Sequence, residues 1–454
     1  RCGGMVMHKV LAAFVVAGST LLLASCRDQP TSKCVPDLAL ACVVDEASAR
    51  LPDIASRPAF VKSFAANFAV NIAIAEHRLG KPDKVKQLVK SIEDWSGDTP
   101  GAKQLFLFHY SKVLAGIDGI DTPEADTARH NLLAALASTE ADWSQSKSGA
   151  ADWLKHYVKA MRQLRLDREA VDLLARRHKQ LDQLRATTEP DQRMAYLLEL
   201  TELQLQAGDV AGAQSSVRAV FDELPKVERW NQKSDVTWKQ LSYSKQLADM
   251  GLTEDAGTIV TRLDPLFQNA PEFAAAANDR NLDFDVELRE LLRLRYQLAG
   301  LAKDDAALAR AREEMRKLID LAFRGGPALD DVKAAVAIGD IAGAKEMQSA
   351  AEANSGAYGT DALQRLLQIQ SLVGDTAAFD QTVERLPTDK ARLEAQSSHD
   401  YCYNFLESGH VDRTLNCAMR ADSGEFLSPS DFYNAVLERM LNSHPGRGKA
   451  NTGG

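Results

Sequence analysis

The stretch Ala195-Tyr-Leu-Leu-Glu-Leu-Thr-Glu-Leu-Gln-Leu, read on as far as Pro225, decides the fold. Its apolar residues recur at three and four, the period of one helical face. The pattern breaks at Gly208-Asp209 and restarts over Ala211–Leu224, where Pro225 closes it. A helix C-terminus favours a left-handed residue, which Gly adopts without steric cost. The Asp beside it starts the next helix as an N-cap. Residues 195–225 therefore read as two helices joined by a tight turn.

The same helix–Gly–helix device recurs along the chain, at Gly80, Gly119, Gly251, Gly300, Gly339, Gly374 and Gly409, with a glycine-free version near Leu166-Asp167-Arg168. Successive turns lie roughly 35 to 49 residues apart, and the last three are 35 apart each time. A period of about 34 with two helices per unit is the signature of the tetratricopeptide class. Several units resemble that family closely. Gly208 is followed by Ala213 and Pro225 at the family's offsets for packing alanine and closing proline, and Gly251 and Gly339 are followed by Ala256 and Ala344. Val85, Phe379 and Thr414 occupy the alanine offset elsewhere, so the repeat is degenerate. The resemblance implies an all-α fold, a right-handed α-solenoid of stacked helical hairpins over residues 55–425, with the first helix of each pair lining a concave face.

A single hairpin of this length cannot bury its apolar face alone, so neighbours bury it jointly and the terminal units need caps. Ser428-Pro429-Ser430-Asp431 opens a final helix with an N-cap and a Pro at the first helical position. That helix is amphipathic through Phe432, Val436, Leu437, Met440 and Leu441, and residues 428–443 read as a capping helix. Residues 444–454 read as a disordered tail.

At the other end, Met7-His-Lys is a short basic segment, followed by an uncharged run from Val10 to Leu23. The run is too short to span a bilayer, which takes about 20 apolar residues, and suits a signal peptide. It ends Leu23-Ala24-Ser25-Cys26. This tetrapeptide resembles the lipobox of bacterial lipoproteins. The resemblance implies cleavage before Cys26, a diacylglycerol on its thiol and, with Arg27 rather than Asp after it, sorting to the outer membrane. Residues 1–25 are then signal peptide, residues 1–6 are expected to lie upstream of the start at Met7, and residues 26–54 are tether and N-terminal segment.

The net charge is −9, and −11 once residues 1–25 leave with Arg1 and Lys9 and no acid. Such an acidic chain is a poor partner for nucleic acid or anionic lipid. Four cysteines remain after Cys26, and an exported protein is expected to pair them. Of the three connectivities, the local one is favoured. Cys402 lies seven residues before Gly409 and Cys417 eight after it, and positions equidistant from a hairpin turn face each other. A Cys402–Cys417 bridge would staple the last unit, which has one neighbour in an open solenoid. Cys34 and Cys42 form the other pair.

Chemistry-bearing motifs are sparse. There is no phosphate loop, no His-Glu-x-x-His, no Cys-x-x-Cys and no Gly-x-Ser-x-Gly, so the sequence assigns no metal, cofactor or catalytic residue. A thiol hydrolase from Cys402 or Cys417 with His399 or His410 and Asp400 competes with simple disulfide bonding. The carboxylate pairs Asp304-Asp305 and Glu313-Glu314, formally suited to glycan hydrolysis, read better as a solvated face. The basic cluster Arg162, Arg165, Arg168, Arg176, Arg177, Lys179 is interleaved with acids and reads as mixed surface charge. Trp95, Trp143, Trp153, Trp230 and Trp238 all precede residue 240, so the N-terminal half is a candidate for a recognition groove. The expected function is a membrane-anchored scaffold or adaptor for an envelope protein. The alternatives are an enzyme acting on peptidoglycan or its glycans, or a partner of one, and a carrier of a small ligand or peptide in the solenoid groove.

Overall fold

A computed structural model describes residues 32–52, 59–97, 100–143, 150–183, 189–223, 253–263, 282–322, 329–355, 359–420 and 429–443, together with Gln240, Leu241, Ser244, Lys245, Leu247 and Ala248. Among these residues every regular element is helical. The first half holds α1 (Leu40–Ser48), α2 (Ala59–Arg78), α3 (Pro82–Ser96), α4 (Pro100–Gly116), α5 (Pro123–Trp143), α6 (Ala150–Gln163), α7 (Asp167–Gln183), α8 (Pro190–Ala207) and α9 (Val210–Glu223). The second half holds α10 (Thr253–Leu263), α11 (Leu282–Leu301), α12 (Asp305–Ala322), α13 (Leu329–Ala337), α14 (Ile341–Ser355), α15 (Gly359–Val373), α16 (Thr376–Glu384), α17 (Asp389–Ser397), α18 (His399–Glu407), α19 (Val411–Arg420) and α20 (Pro429–Ser443). The protein is an all-α solenoid of stacked helical hairpins.

The turns explain the regularity. Gly80, Arg165, Gly208, Lys303, Gly339, Gly374 and Gly409 each have positive φ. At each, the next residue's N–H reaches the carbonyl five positions back, as Asp209 does to Gln204 and Asp340 to Ala335. This paired arrangement satisfies the orphan carbonyls of the outgoing helix. Asp209, Asp304, Asp340 and Asp375 then accept from a backbone N–H three residues on, which caps the incoming helix. Five residues past the left-handed position sits a buried side chain in most units, whatever its type: Val85, Ala170, Ala213, Ala344, Phe379 and Thr414.

Two expected turn glycines play another part. Gly119 opens a 3-10 turn, Gly119–Asp121, and the left-handed residue is Asp118, with φ 54°. Gly300 lies inside α11, and the left-handed residue is Lys303, with φ 53°. A Cβ on Gly300 would come within 2.5 Å of Ile338, so this glycine permits close packing and makes no turn. Gly251 lies outside the described residues, as does Pro225.

First helices pack on first helices in the order α2, α4, α6, α8 and then α11, α13, α15, α18, α20. One core joins α8 to α11 through Leu241 and Leu247, with Leu197, Leu294 and Leu298 in the same cluster. The circuit then closes, because α20 packs on both α2 and α1. A single core holds Val43, Val44 and Ala47 of α1, Phe68 and Ile72 of α2, and Phe432, Tyr433, Val436 and Leu437 of α20. Residues 32–52 are therefore built into the fold, where the sequence placed them in a tether and N-terminal segment. The last hairpin, expected to have one neighbour, has α20 and α1 beyond it. The closing unit takes one helix from each end of the chain.

Candidate interaction surface

Side-chain hydrogen bonds tie the seam where the two described ends of the chain meet. Ser32 N–H donates to Asn416 Oδ1 at 3.1 Å, Tyr433 donates to Glu46 Oε2 at 2.9 Å, Asn71 donates to Asn434 Oδ1 at 2.7 Å, and Arg78 donates to the Leu441 carbonyl at 2.9 Å. Cys34 is bonded to Cys42 (Cα–Cα 5.5 Å) and Cys402 to Cys417 (Cα–Cα 6.2 Å). Cys34, Cys402 and Cys417 are all buried in the seam core, so both bridges staple the place where the circuit closes. A sulfur held in a disulfide is no thiolate, which removes the nucleophile from any Cys–His arrangement with His399, Asp400 or His410.

Lys112 of α4 and Glu438 of α20 approach to 3.4 Å. Their helices pack on α2 from its two sides, so the pair meets over α2. The neighbouring wall carries His109 on α4 and, exposed on α6, Lys155, His156 and Lys159. Burial holds the His109 imidazole down at about 4, helped by Lys112 and His156. Burial also lowers Lys112, against the pull of Glu438. Lys155 reaches Glu202 of α8 at 3.7 Å. The surface is thus a mixed-charge wall with basic character over α4 and α6.

Among the tryptophans, Trp95 is half-buried against the seam core. Trp153 packs against the core of α4 to α8, its ring 6.0 Å from Phe108. These two fill space between helices. Nothing described bears on the side chains of Trp143, Trp230 and Trp238. Tyr401 and Phe405 are buried and set edge-on to Phe379, so the aromatic run of α18 is packing. Half of the basic cluster meets acids: Arg176 grips Glu140 with contacts of 3.0–3.1 Å, Arg165 faces Asp121 and Arg162 faces Asp167. Asp304 is an N-cap and Glu314 pairs with Arg295, so these acids have structural partners. Cys26 and its preceding Leu23, Ala24 and Ser25 lie outside the described residues.

Sequence reading missed the buried polar groups. Arg293 of α11 and Asp331 of α13 form a buried pair at 3.0 Å. Asp340 accepts from Tyr296 and from Arg312. Burial alone would raise the Asp340 carboxyl, but the hydrogen bonds from Tyr296, the Gly343 N–H and Arg312 hold it below the usual carboxylate range. The available signal was the repeated Gly-Asp at 208–209, 339–340 and 374–375.

No family model matches the chain, and no curated protein matches it. Among solved structures it is similar to a circular tandem repeat protein with novel repeat topology and enhanced subunit contact surfaces, at 12% identity and a TM-score of 0.26, covering 95% of this chain and 93% of that one. At that TM-score the likeness carries no argument, and the fold stands on the packing described above. Among the described residues no helix is long and apolar enough to cross a membrane, and no cluster of three His, Cys, Asp or Glu is placed to hold a metal.

Proposed function

We propose that this protein is a lipid-anchored envelope adaptor, acylated at Cys26, whose concave first-helix face holds a segment of a partner protein. The observation that carries the reading is the mixed-charge wall running across the stapled seam from α20 to α8. Stacked helical repeats present extended binding surfaces of this kind. Disulfide-bonded Cys34–Cys42 and Cys402–Cys417 suit an oxidising compartment outside the cytoplasm. Ser32 is hydrogen-bonded to Asn416 of α19, so a lipid on Cys26 would tether the molecule at the closing seam. Outer-membrane sorting follows from Arg27 in the same reading.

The test has two parts. Incorporation of a labelled fatty acid should be lost in Cys26→Ala. Crosslinking of the anchored protein in envelope extract should recover one or two proteins, with crosslinks on Lys112, Lys155 and Lys159. Recovery of glycan fragments with no protein, or crosslinks confined to second helices, would overturn the adaptor reading.

A further inference from the structure

Residues 32–52 enter the fold against α19. Ser32 N–H donates to Asn416 Oδ1 at 3.1 Å, and Arg50 Nη2 reaches Met419 Sδ at 4.0 Å. Ser32 lies six residues after Cys26. A chain spans at most about 3.6 Å per residue, so a lipid on Cys26 holds Ser32 within roughly 20 Å of the headgroup plane. The surface around Asn416 therefore cannot leave the membrane.

Two arginines flank Asn416 on α19, Arg413 one turn before it and Arg420 one turn after. At 3.6 residues per turn they fall within about 20° of each other around the helix. Their partners differ. Arg413 grips both oxygens of Asp380 on α16 and lies over the Phe405 ring, 5.8 Å from its centre. Arg420 is half-buried, yet it makes no hydrogen bond or ion pair among the described residues, and its Nε is shut off from water without an acceptor. Burial, and then the Arg413 charge, lower its pKa against the pull of Asp380. Asp380 is already taken through both oxygens, and Glu46 across the seam is taken by Ser32 and Tyr433. Removing a charge from water is costly unless a partner meets it. Arg420 therefore calls for an anion from outside the chain.

We propose that Arg420 binds the phosphate of a membrane lipid beside the Cys26 anchor. A guanidinium presents a planar fork of N–H donors that matches phosphate oxygens. Nε is the one Arg420 nitrogen sealed from water, so the two terminal nitrogens of the fork stay open to a ligand. Exposed Lys33, the residue after Ser32, adds a second cation where the chain enters the fold. The chain as a whole carries a net charge of −9, so no broad attraction to an anionic bilayer is expected. The contact is local, and the short tether drives it by raising the effective concentration of headgroups around α19. The proposal rests on the acylation of Cys26 in the adaptor reading, and it sets the seam toward the bilayer.

The disulfides engage four of the six cysteines and leave Cys2 and Cys26. The full chain with Cys2→Ser can therefore be coupled through Cys26 to a maleimide-bearing diacylglycerol in vesicles. This supplies the anchor whether or not a cell acylates Cys26, so absent fatty-acid labelling in cells counts against the anchor reading alone. The vesicles carry phosphatidylglycerol with a photoactivatable headgroup, or a phosphate-free glycosyl diacylglycerol with the same group. Crosslinks to phosphatidylglycerol should concentrate on α19 and residues 32–52. Arg420→Met, which keeps an apolar stem and removes the charge, should lower their yield about tenfold, the worth of a hydrogen bond to a charged group. The same variant should not lower the urea midpoint of the lipid-free protein, and a lowered midpoint would reveal a partner within the chain. Lys33→Glu changes an exposed side chain and should weaken the crosslink without touching the fold. Four results overturn the proposal: equal yield from the phosphate-free lipid, crosslinks spread evenly over the molecule, undiminished yield in both variants, or a lowered midpoint in Arg420→Met. Loss of the crosslink to millimolar inorganic phosphate at constant ionic strength would assign the site to a soluble phosphate and overturn the membrane source.

Discussion

The left-handed residue at each turn sets the local cost of the repeat. Five of these residues are Gly, but Arg165 and Lys303 hold φ of 56° and 53° with a side chain attached. A left-handed L-residue is strained, and Gly relieves that strain while loosening the unfolded chain. Lys303→Gly and Arg165→Gly should each stabilise by roughly 0.5–1 kcal/mol, read from urea midpoints. Gly374→Ala should destabilise by more than about 1 kcal/mol, because φ is 77° and the new Cβ would come within 2.9 Å of Ser408. His109 gives a second test. Its pKa falls from 6.5 to about 4 on folding. The unfolded state thus binds the extra proton first, and stability is lost as pH falls through that window. The loss should reach up to about 3 kcal/mol, and His109→Gln should flatten the stability profile between pH 6.5 and 4. Gly80, Gly208, Gly339, Gly374 and Gly409 were legible as turn residues because backbone sterics act locally. The value at His109 was not, because it depends on what covers the ring.

At the scale of helices, the pairing of Cys402 with Cys417 was readable from the turn between them, since an antiparallel hairpin brings equidistant positions together. Closing a loop of 15 residues restricts the unfolded chain by about 3 kcal/mol. The double variant Cys402→Ser, Cys417→Ser should lose roughly that much in non-reducing urea titrations. An unchanged midpoint would mean that the seam core alone holds α18 and α19 in place. Gly300 marks where helix-level reading went astray. Its position matched a turn, but its use is steric, against Ile338 of the neighbouring unit. Composition and spacing cannot separate a glycine that bends the chain from one that admits a neighbour.

At the scale of the molecule, the closed circuit changes which parts of the chain depend on each other. In an open solenoid each unit feels its neighbours, so losing the last helix would loosen α18 and α19. Here α20 also covers α1 and α2. Removing residues 428–454 should therefore raise amide exchange across α1 and α2, more than three hundred residues away in sequence, as well as in α18 and α19. Exchange confined to the C-terminal hairpin would show that the ends are not coupled.

The sequence by itself determined the helical hairpins, their turns and the hairpin disulfide, because each rests on contacts within a few residues or across one tight turn. Apolar spacing sets the helix face, and a left-handed residue followed by an Asp cap ends one helix and begins the next. The tertiary structure alone decided that the solenoid closes and that residues 32–52 complete its last unit. Those outcomes depend on the small rotation between successive units, summed around the whole circuit. No local pattern encodes that sum, since it is set by the side-chain volumes at every helix interface together.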